Sequence, residues 1–177
     1  MIATGIPDPA EIPTFYQRYV AQVGVNSLFE GMLLAAKTLR ATIERVRPEQ
    51  EEHRYAPGKW SVKEVVQHVI DAERIFAYRA LRFARNDATP LPGFEENDYA
   101  PAARCERRTL ADLLAEYGAV HHATLELFVS MDSEMLLRTG IANGHRISVR
   151  AIGWTIAGHT LHHARILTER YLDHGTA

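Results

Sequence analysis

His159 and His163 stand four residues apart in Gly158-His159-Thr160-Leu161-His162-His163-Ala164-Arg165. On a helix this spacing presents two imidazoles about one turn apart, close enough to chelate a single ion. The run from Ser148 to about Leu172 has helical periodicity. At about 100° per residue Ile152, Ile156, His159, His163, Ile166 and Leu167 share one arc. Two titratable rings therefore fall on the face that should be buried, where an unpaired polar group is costly. Either each ring bonds to backbone or to Tyr117 inside the core, or the two share a metal ion. A third ligand has to come from another helix. His68 is the best candidate, because Glu64, Asp71 and Glu73 flank it as carboxylates able to orient its ring. His121, on the apolar stripe of a different helix, is the reserve. Three neutral imidazoles suit zinc, nickel or iron and leave a position for water or a substrate thiolate.

Other chemistry is thinner. Arg79 shares the arc of His68 and Ala72 and could hold an anionic group near an ion; together with Glu73 it is a candidate supporting group. Arg79, Arg82 and Arg85 otherwise read as a solvated or salt-bridged face. Trp60 and Trp154 read as packing residues, and His53, His122, His145, His162 and His174 as surface. Cys105 has no adjacent base to activate it. Thr160 stands where a zinc protease of H-E-x-x-H type needs glutamate. No Glu-x-x-His pair occupies a core face on two helices, which argues against a di-iron bundle. No Gly-rich phosphate loop or Ser-His-Asp arrangement is visible.

These rings need helices to carry them, and the pattern supplies four long ones. Ser27-Leu28-Phe29-Glu30 has the form of a capping box, followed by Leu28, Met32, Ala35, Leu39, Ile43 and Val46 at helical spacing until Pro48. Ser61-Val62-Lys63-Glu64 is a second box, opening a helix to about Asn86 with His68 oblique but inward. Residues 86–107, with three prolines and an acidic patch, form a connection long enough to be a lid or a packed crossover. Thr109 and Asp112 open a third helix, with His121 on its inward stripe and His122 off it. Asn143-Gly144 signals a tight hairpin, and Ser148 caps the fourth helix. Before all this, residues 1–14 form a turn-rich lead-in. The aromatic run Phe15, Tyr16, Tyr19 forms a short helix expected to pack outside the core. The expectation is one all-α domain over 1–177, a four-helix bundle with a long crossover and a small hairpin.

The bulk numbers fit that picture. A chain of 177 residues with 46% hydrophobic and 24% charged residues is long enough for a real core. A net charge of −2 gives no reason to expect nucleic acid or an anionic membrane surface as partner. No apolar run approaches a membrane span, and the first residues lack the pattern of a secretion signal. The single cysteine excludes an internal disulfide and fits a reducing cytoplasm.

Gly58-Lys59-Trp60-Ser61-Val62-Lys63-Glu64-Val65-Val66-Gln67-His68, followed by Asp71-Ala72-Glu73-Arg74, resembles the opening motif of the DinB/YfiT-like superfamily. The closing Gly158-His159-Thr160-Leu161-His162-His163 is similar to that family's C-terminal metal motif. The resemblance covers about residues 15–172. It implies a four-helix bundle with a crossover and a metal triad at His68, His159 and His163. It further implies a thiol-dependent S-transferase, isomerase or metal-dependent hydrolase acting on small molecules, and homodimers. The leading expectation is a metal-dependent enzyme in which an ion activates a low-molecular-weight thiol or water. The competing classes are a non-enzymatic metal- or ligand-binding stress-response protein, and a metal-free bundle whose histidines bond one another.

Overall fold

Helix starts follow local capping chemistry. The structure, a computed structural model, describes residues 4–172, so His174 lies outside it. Ser61 Oγ accepts from the Glu64 N–H at 3.2 Å while Glu64 accepts from the Ser61 N–H at 2.6 Å, opening α3 (Val62–Ala84; α1 and α2 are Thr14–Ala21 and Leu28–Ile43). The same exchange between Thr109 and Asp112 opens α5 (Leu110–Val129), after the short α4 (Glu96–Ala102). Following α6 (Ser133–Leu137), Ser148 Oγ accepts from the Ala151 N–H at 3.1 Å and starts α7 (Val149–Ile166). The last turn of α7 passes into a π-helical segment, Leu167–Leu172. The box expected at Ser27 does not form: its side chain makes no capping bond. The Leu28 N–H, at the first helical position, donates to the Thr4 carbonyl at 2.9 Å, so the lead-in satisfies one of the free N–H groups at this helix start.

The four long helices, α2, α3, α5 and α7, form the expected bundle. Helix α7 packs against both α2 and α3, α5 lies against α3, and α2 and α5 touch more sparsely. The apolar interior falls into two clusters. One gathers Leu28, Met32, Phe76, Phe83, Phe128, Trp154 and Ile156; the other gathers Leu39, Val62, Val66, Leu113, Tyr117, Leu167 and Tyr171. Between them runs a belt of buried polar side chains: His68 and Glu73 from α3, His121 and Thr124 from α5, His159 and Thr160 from α7.

Two connections are tied down. Strands β1 (Thr139–Ala142) and β2 (His145–Ser148) pair antiparallel around Asn143 and Gly144, whose φ values of 50° and 76° are those a tight primed turn requires. Leu91 of the crossover bonds that hairpin, its N–H donating to the Ile141 carbonyl at 2.9 Å. Arg79 is 3% exposed and donates to the Pro92 carbonyl at 2.8 Å, so it is not part of a solvated face. It clamps the crossover. Arg82 pairs with Asp87, and Arg85 reaches the Met135 sulfur. Among the described residues no helix is long and apolar enough to cross a membrane.

The short helix α1 packs on the outside of the core, as expected, with Val20 its one buried residue. It lies directly on α7, so closely that a Cβ at Gly158 would stand 2.1 Å from the Tyr19 carbonyl oxygen. Gln22 adds a bond to the Gly158 carbonyl at 2.9 Å. Ahead of it, Glu11 pairs with the buried Arg150 at the start of α7 and accepts from Ser148 Oγ at 2.7 Å. The Arg150 guanidinium, opposed by burial and helped by Ser148, holds the Glu11 carboxyl down to about 2. A carboxyl lowered on folding stabilises the fold above its unfolded value, 4.5, and that contribution is lost as pH falls toward 2. Glu11→Gln should therefore lower stability by about 1–2 kcal/mol at pH 7, and the difference from the parent should shrink steadily as pH falls from 4.5 through about 2, measured by urea denaturation across that window. A difference that persists unchanged at low pH would contradict the assignment.

Candidate metal centre

Three rings converge where α3 crosses α7. His68 Nε2 and His159 Nε2 are 3.0 Å apart, and His163 Nε2 is 3.1 Å from His159 Nε2. One donor nitrogen from each ring lies within 4.8 Å of the others. His68 and His159 are 8% and 7% exposed, and His163 is half-buried. The sequence reading left open a core in which these rings bond to backbone or to Tyr117. The structure does not place them so: their polar neighbours are one another. A neutral imidazole has one N–H and one lone pair, so a proton on His159 Nε2 cannot serve both neighbours well. His163 Nδ1 is buried without a partner.

Burial sets the protonation state. It pushes His68 down to about 4, and it drives His159 and His163 well below the ordinary imidazole value, with the neighbouring rings adding to the effect. Three neutral rings with converging lone pairs are a donor set that a borderline divalent metal accepts. Donors about 2.1 Å from a common ion stand roughly 3.0–3.4 Å apart, which is the spacing of the two close pairs.

The surroundings of the triad differ from the expectation in four ways. Glu73 does not reach it; its Oε1 is 3.0 Å from His121 Nδ1, on the other side of α3. Glu64 is taken by Arg54 and Ser61, and Asp71 accepts from Gln67, so none of the three carboxylates orients His68. Arg79 bonds the crossover through Nη2 and does not line the cavity at the three rings. His121, the reserve ligand, belongs to the Glu73 pair. Trp60 and His162 depart in the opposite direction. The Trp60 ring stands 4.8 Å from the His68 ring, held by the Tyr171 hydroxyl, which donates to the Trp60 carbonyl at 2.7 Å. His162 is half-buried, its ring 5.1 Å from that of His163. Trp154, by contrast, is core. Cys105 is buried, its thiol pushed up to about 11 by desolvation, which makes it a poor nucleophile.

Helix α1 supplies what periodicity could not assign. Tyr19 sets its ring edge-on to His159 and His162, at 5.4 and 5.3 Å, and Arg18 donates to its hydroxyl at 3.0 Å. Two cavities meet at His163, and one of them is lined by all three rings. One, about 250 Å³, is walled by Tyr16, Tyr19, Phe76 and Phe94, with Arg18 and Glu96 polar at its edge. The other, about 290 Å³, lies beyond Trp60 and His162, beside Lys59, Asn97 and Tyr171. His162 and His163 border both. In the sequence, the feature that could have marked the approach of α1 is Gly158, a mid-helix glycine weak for helix formation.

A family model described as the DinB superfamily matches residues 33–167. No curated protein matches the chain. Among solved structures it is similar to YfiT from Bacillus subtilis, described as "a probable metal-dependent hydrolase with an unusual four-helix bundle topology". The TM-score is 0.72 and the identity 18%, over 94% of each chain. At that identity the likeness concerns the fold.

Because α1 rests on bare backbone, Gly158→Ala should displace it. We expect a loss of about 1–3 kcal/mol, as for other overpacked sites, and a rise in Tyr19 fluorescence accessibility to iodide. Unchanged stability and quenching would refute the close-contact account.

Proposed function

We infer that this chain, which belongs to the DinB superfamily, is a metal-dependent enzyme of small molecules, with His68, His159 and His163 as ligands of one divalent transition metal. The observation that carries the reading is the convergence of three neutral imidazole donors, two buried and one half-buried, whose hydrogen-bonding contacts among the described residues are with one another. A bound zinc, nickel or iron ion would make a small thiol acidic enough to react as thiolate near neutral pH. The chain's own residues do the rest. Trp60, Tyr19 and Phe76 exclude bulk water from the ligand rings, and Arg18 and Lys59 offer cationic groups at the edges of the two cavities.

Two cavities that share His163, between Trp60 and His162, favour a reaction of two substrates over one. A low-molecular-weight thiol would lie in one cavity and its electrophilic partner in the other, both within reach of the same point. In such an S-transfer the thiolate sulfur bonds the electrophilic carbon, that carbon's leaving group departs with its electron pair, and the thiol proton passes to solvent. A hydrolase would use the same ion on water and leave one cavity without a role. A homodimer, expected from the family resemblance, and a cytoplasmic location, expected from the single cysteine, complete the reading.

Elemental analysis of protein as isolated should find about one divalent metal per chain, and His159→Ala should lose it. Stoichiometric metal in that variant would defeat the ligand assignment. The loaded protein should conjugate a small thiol to 1-chloro-2,4-dinitrobenzene and stop on addition of chelator. Turnover that survives chelation would count against metal-dependent transfer, and ester hydrolysis without thiol would favour the hydrolytic form.

A further inference from the structure

Among the described residues three lysine or arginine side chains are buried: Lys63, Arg79 and Arg150. An enclosed cation is costly without a counter-charge, so such groups are nearly always paired. Lys63 has Glu51 and Glu52, and Arg150 has Glu11. Arg79 has no carboxylate partner among the described residues. Of its five N–H donors one, on Nη2, goes to the Pro92 carbonyl. Clamping the crossover in this way requires a donor but no charge.

The unused part of the guanidinium faces open space. The side-chain atoms sealed in protein without a partner are Glu73 Oε2, Tyr117 Oη, His121 Nε2 and His163 Nδ1, and neither Nε nor Nη1 of Arg79 is one of them. The space that Arg79 borders is a cavity of about 200 Å³, walled by Phe15, Tyr16, Tyr19 and Phe94. The Tyr16 phenol stands beside the guanidinium: burial raises its pKa, and the Arg79 charge opposes that rise. Tyr16, Tyr19 and Phe94 also wall the cavity of the three histidine rings, so the two spaces adjoin. Phe76 spans them, its ring centroid 5.8 Å from Arg79 Cζ and 6.1 Å from the His159 ring. Arg18 and Glu96 border both spaces, but both are exposed, and Glu96 forms no ion pair with Arg79.

We propose that the molecule entering the triad from the α1 side carries a carboxylate, which supplies the counter-charge Arg79 lacks and accepts from Arg79 and the Tyr16 hydroxyl. The planar guanidinium suits a carboxylate in a way that a point charge would not. The aromatic walls favour an apolar body behind that group. Inorganic phosphate has no such body and would shed its water for less in return. Placing the reacting end at the triad rests on the metal-dependent reading above; the carboxylate seat does not.

Phenylacetate serves as the probe, with phenylacetamide as its neutral counterpart, in calorimetric titrations of the full chain stripped of metal by chelator. Phenylacetate should bind saturably at one site per chain, and phenylacetamide at least tenfold more weakly. Arg79→Gln, which removes the charge, should weaken phenylacetate at least tenfold and abolish the rise in Tm that it gives the parent. Tyr16→Phe, which removes only a hydroxyl, should weaken it about threefold, and keeps the test decisive should Arg79→Gln fail to fold. Arg18→Gln should leave it within about twofold. Absence of saturable binding, equal affinity for acid and amide, unchanged affinity in Tyr16→Phe and in a folded Arg79→Gln, or loss in Arg18→Gln would each overturn the proposal. Elemental analysis of the same protein before stripping tests the triad separately, so either reading can fail alone.

Discussion

The bundle has to carry a layer of polar side chains through the middle of its core without leaving them unpaired. His68, Glu73, His121, Thr124, His159 and Thr160 separate two apolar clusters that alone would make an ordinary four-helix interior. Burying such groups costs on the order of 1–3 kcal/mol each unless they are satisfied. The fold meets this cost unevenly. Thr124 bonds back to the Val120 carbonyl at 3.0 Å, and Glu73 shares one oxygen with His121. The three histidines of the α3–α7 crossing have only each other.

That asymmetry divides the belt into two groups on opposite sides of α3. On one side the donors converge beside one cavity, and a second cavity reaches His163. On the other, a carboxylate–imidazole pair and a phenol lie under a cleft with a cationic edge. Helix α3 supplies both, because His68 and Glu73 are five residues apart and so project to different faces. The apolar clusters above and below hold α3 and α7 rigidly enough for such a division. A site built on helices rather than loops is correspondingly precise.

The lead-in performs a role out of proportion to its length. Glu11 on Arg150 and Gln22 on the Gly158 carbonyl fix α1 at both ends, and the bare backbone of Gly158 lets Tyr19 approach the histidine rings. The crossover is held likewise, by Arg79 on Pro92 and by Leu91 on the hairpin. Both segments thus become walls of the cavities around the triad rather than loose covers. The resulting enclosure keeps the rings neutral.

Local chemistry was legible in the chain. The boxes at Ser61 and Thr109, the cap at Ser148 and the Asn143-Gly144 turn depend on neighbours within a few residues, and they form as the sequence indicates. So did the inward faces of the long helices, including His68, His121, His159 and His163, because a 3.6-residue period sorts them whatever the partner. What an inward side chain meets is a different matter. Periodicity gives the direction of Glu73 and Arg79 but not their partners, His121 and Pro92, which are 48 and 13 residues away. Nor could it place Trp60, Tyr19 and His162 beside the triad. Their positions depend on how α1 and the turn before α3 dock on α7, and that is decided by long-range packing.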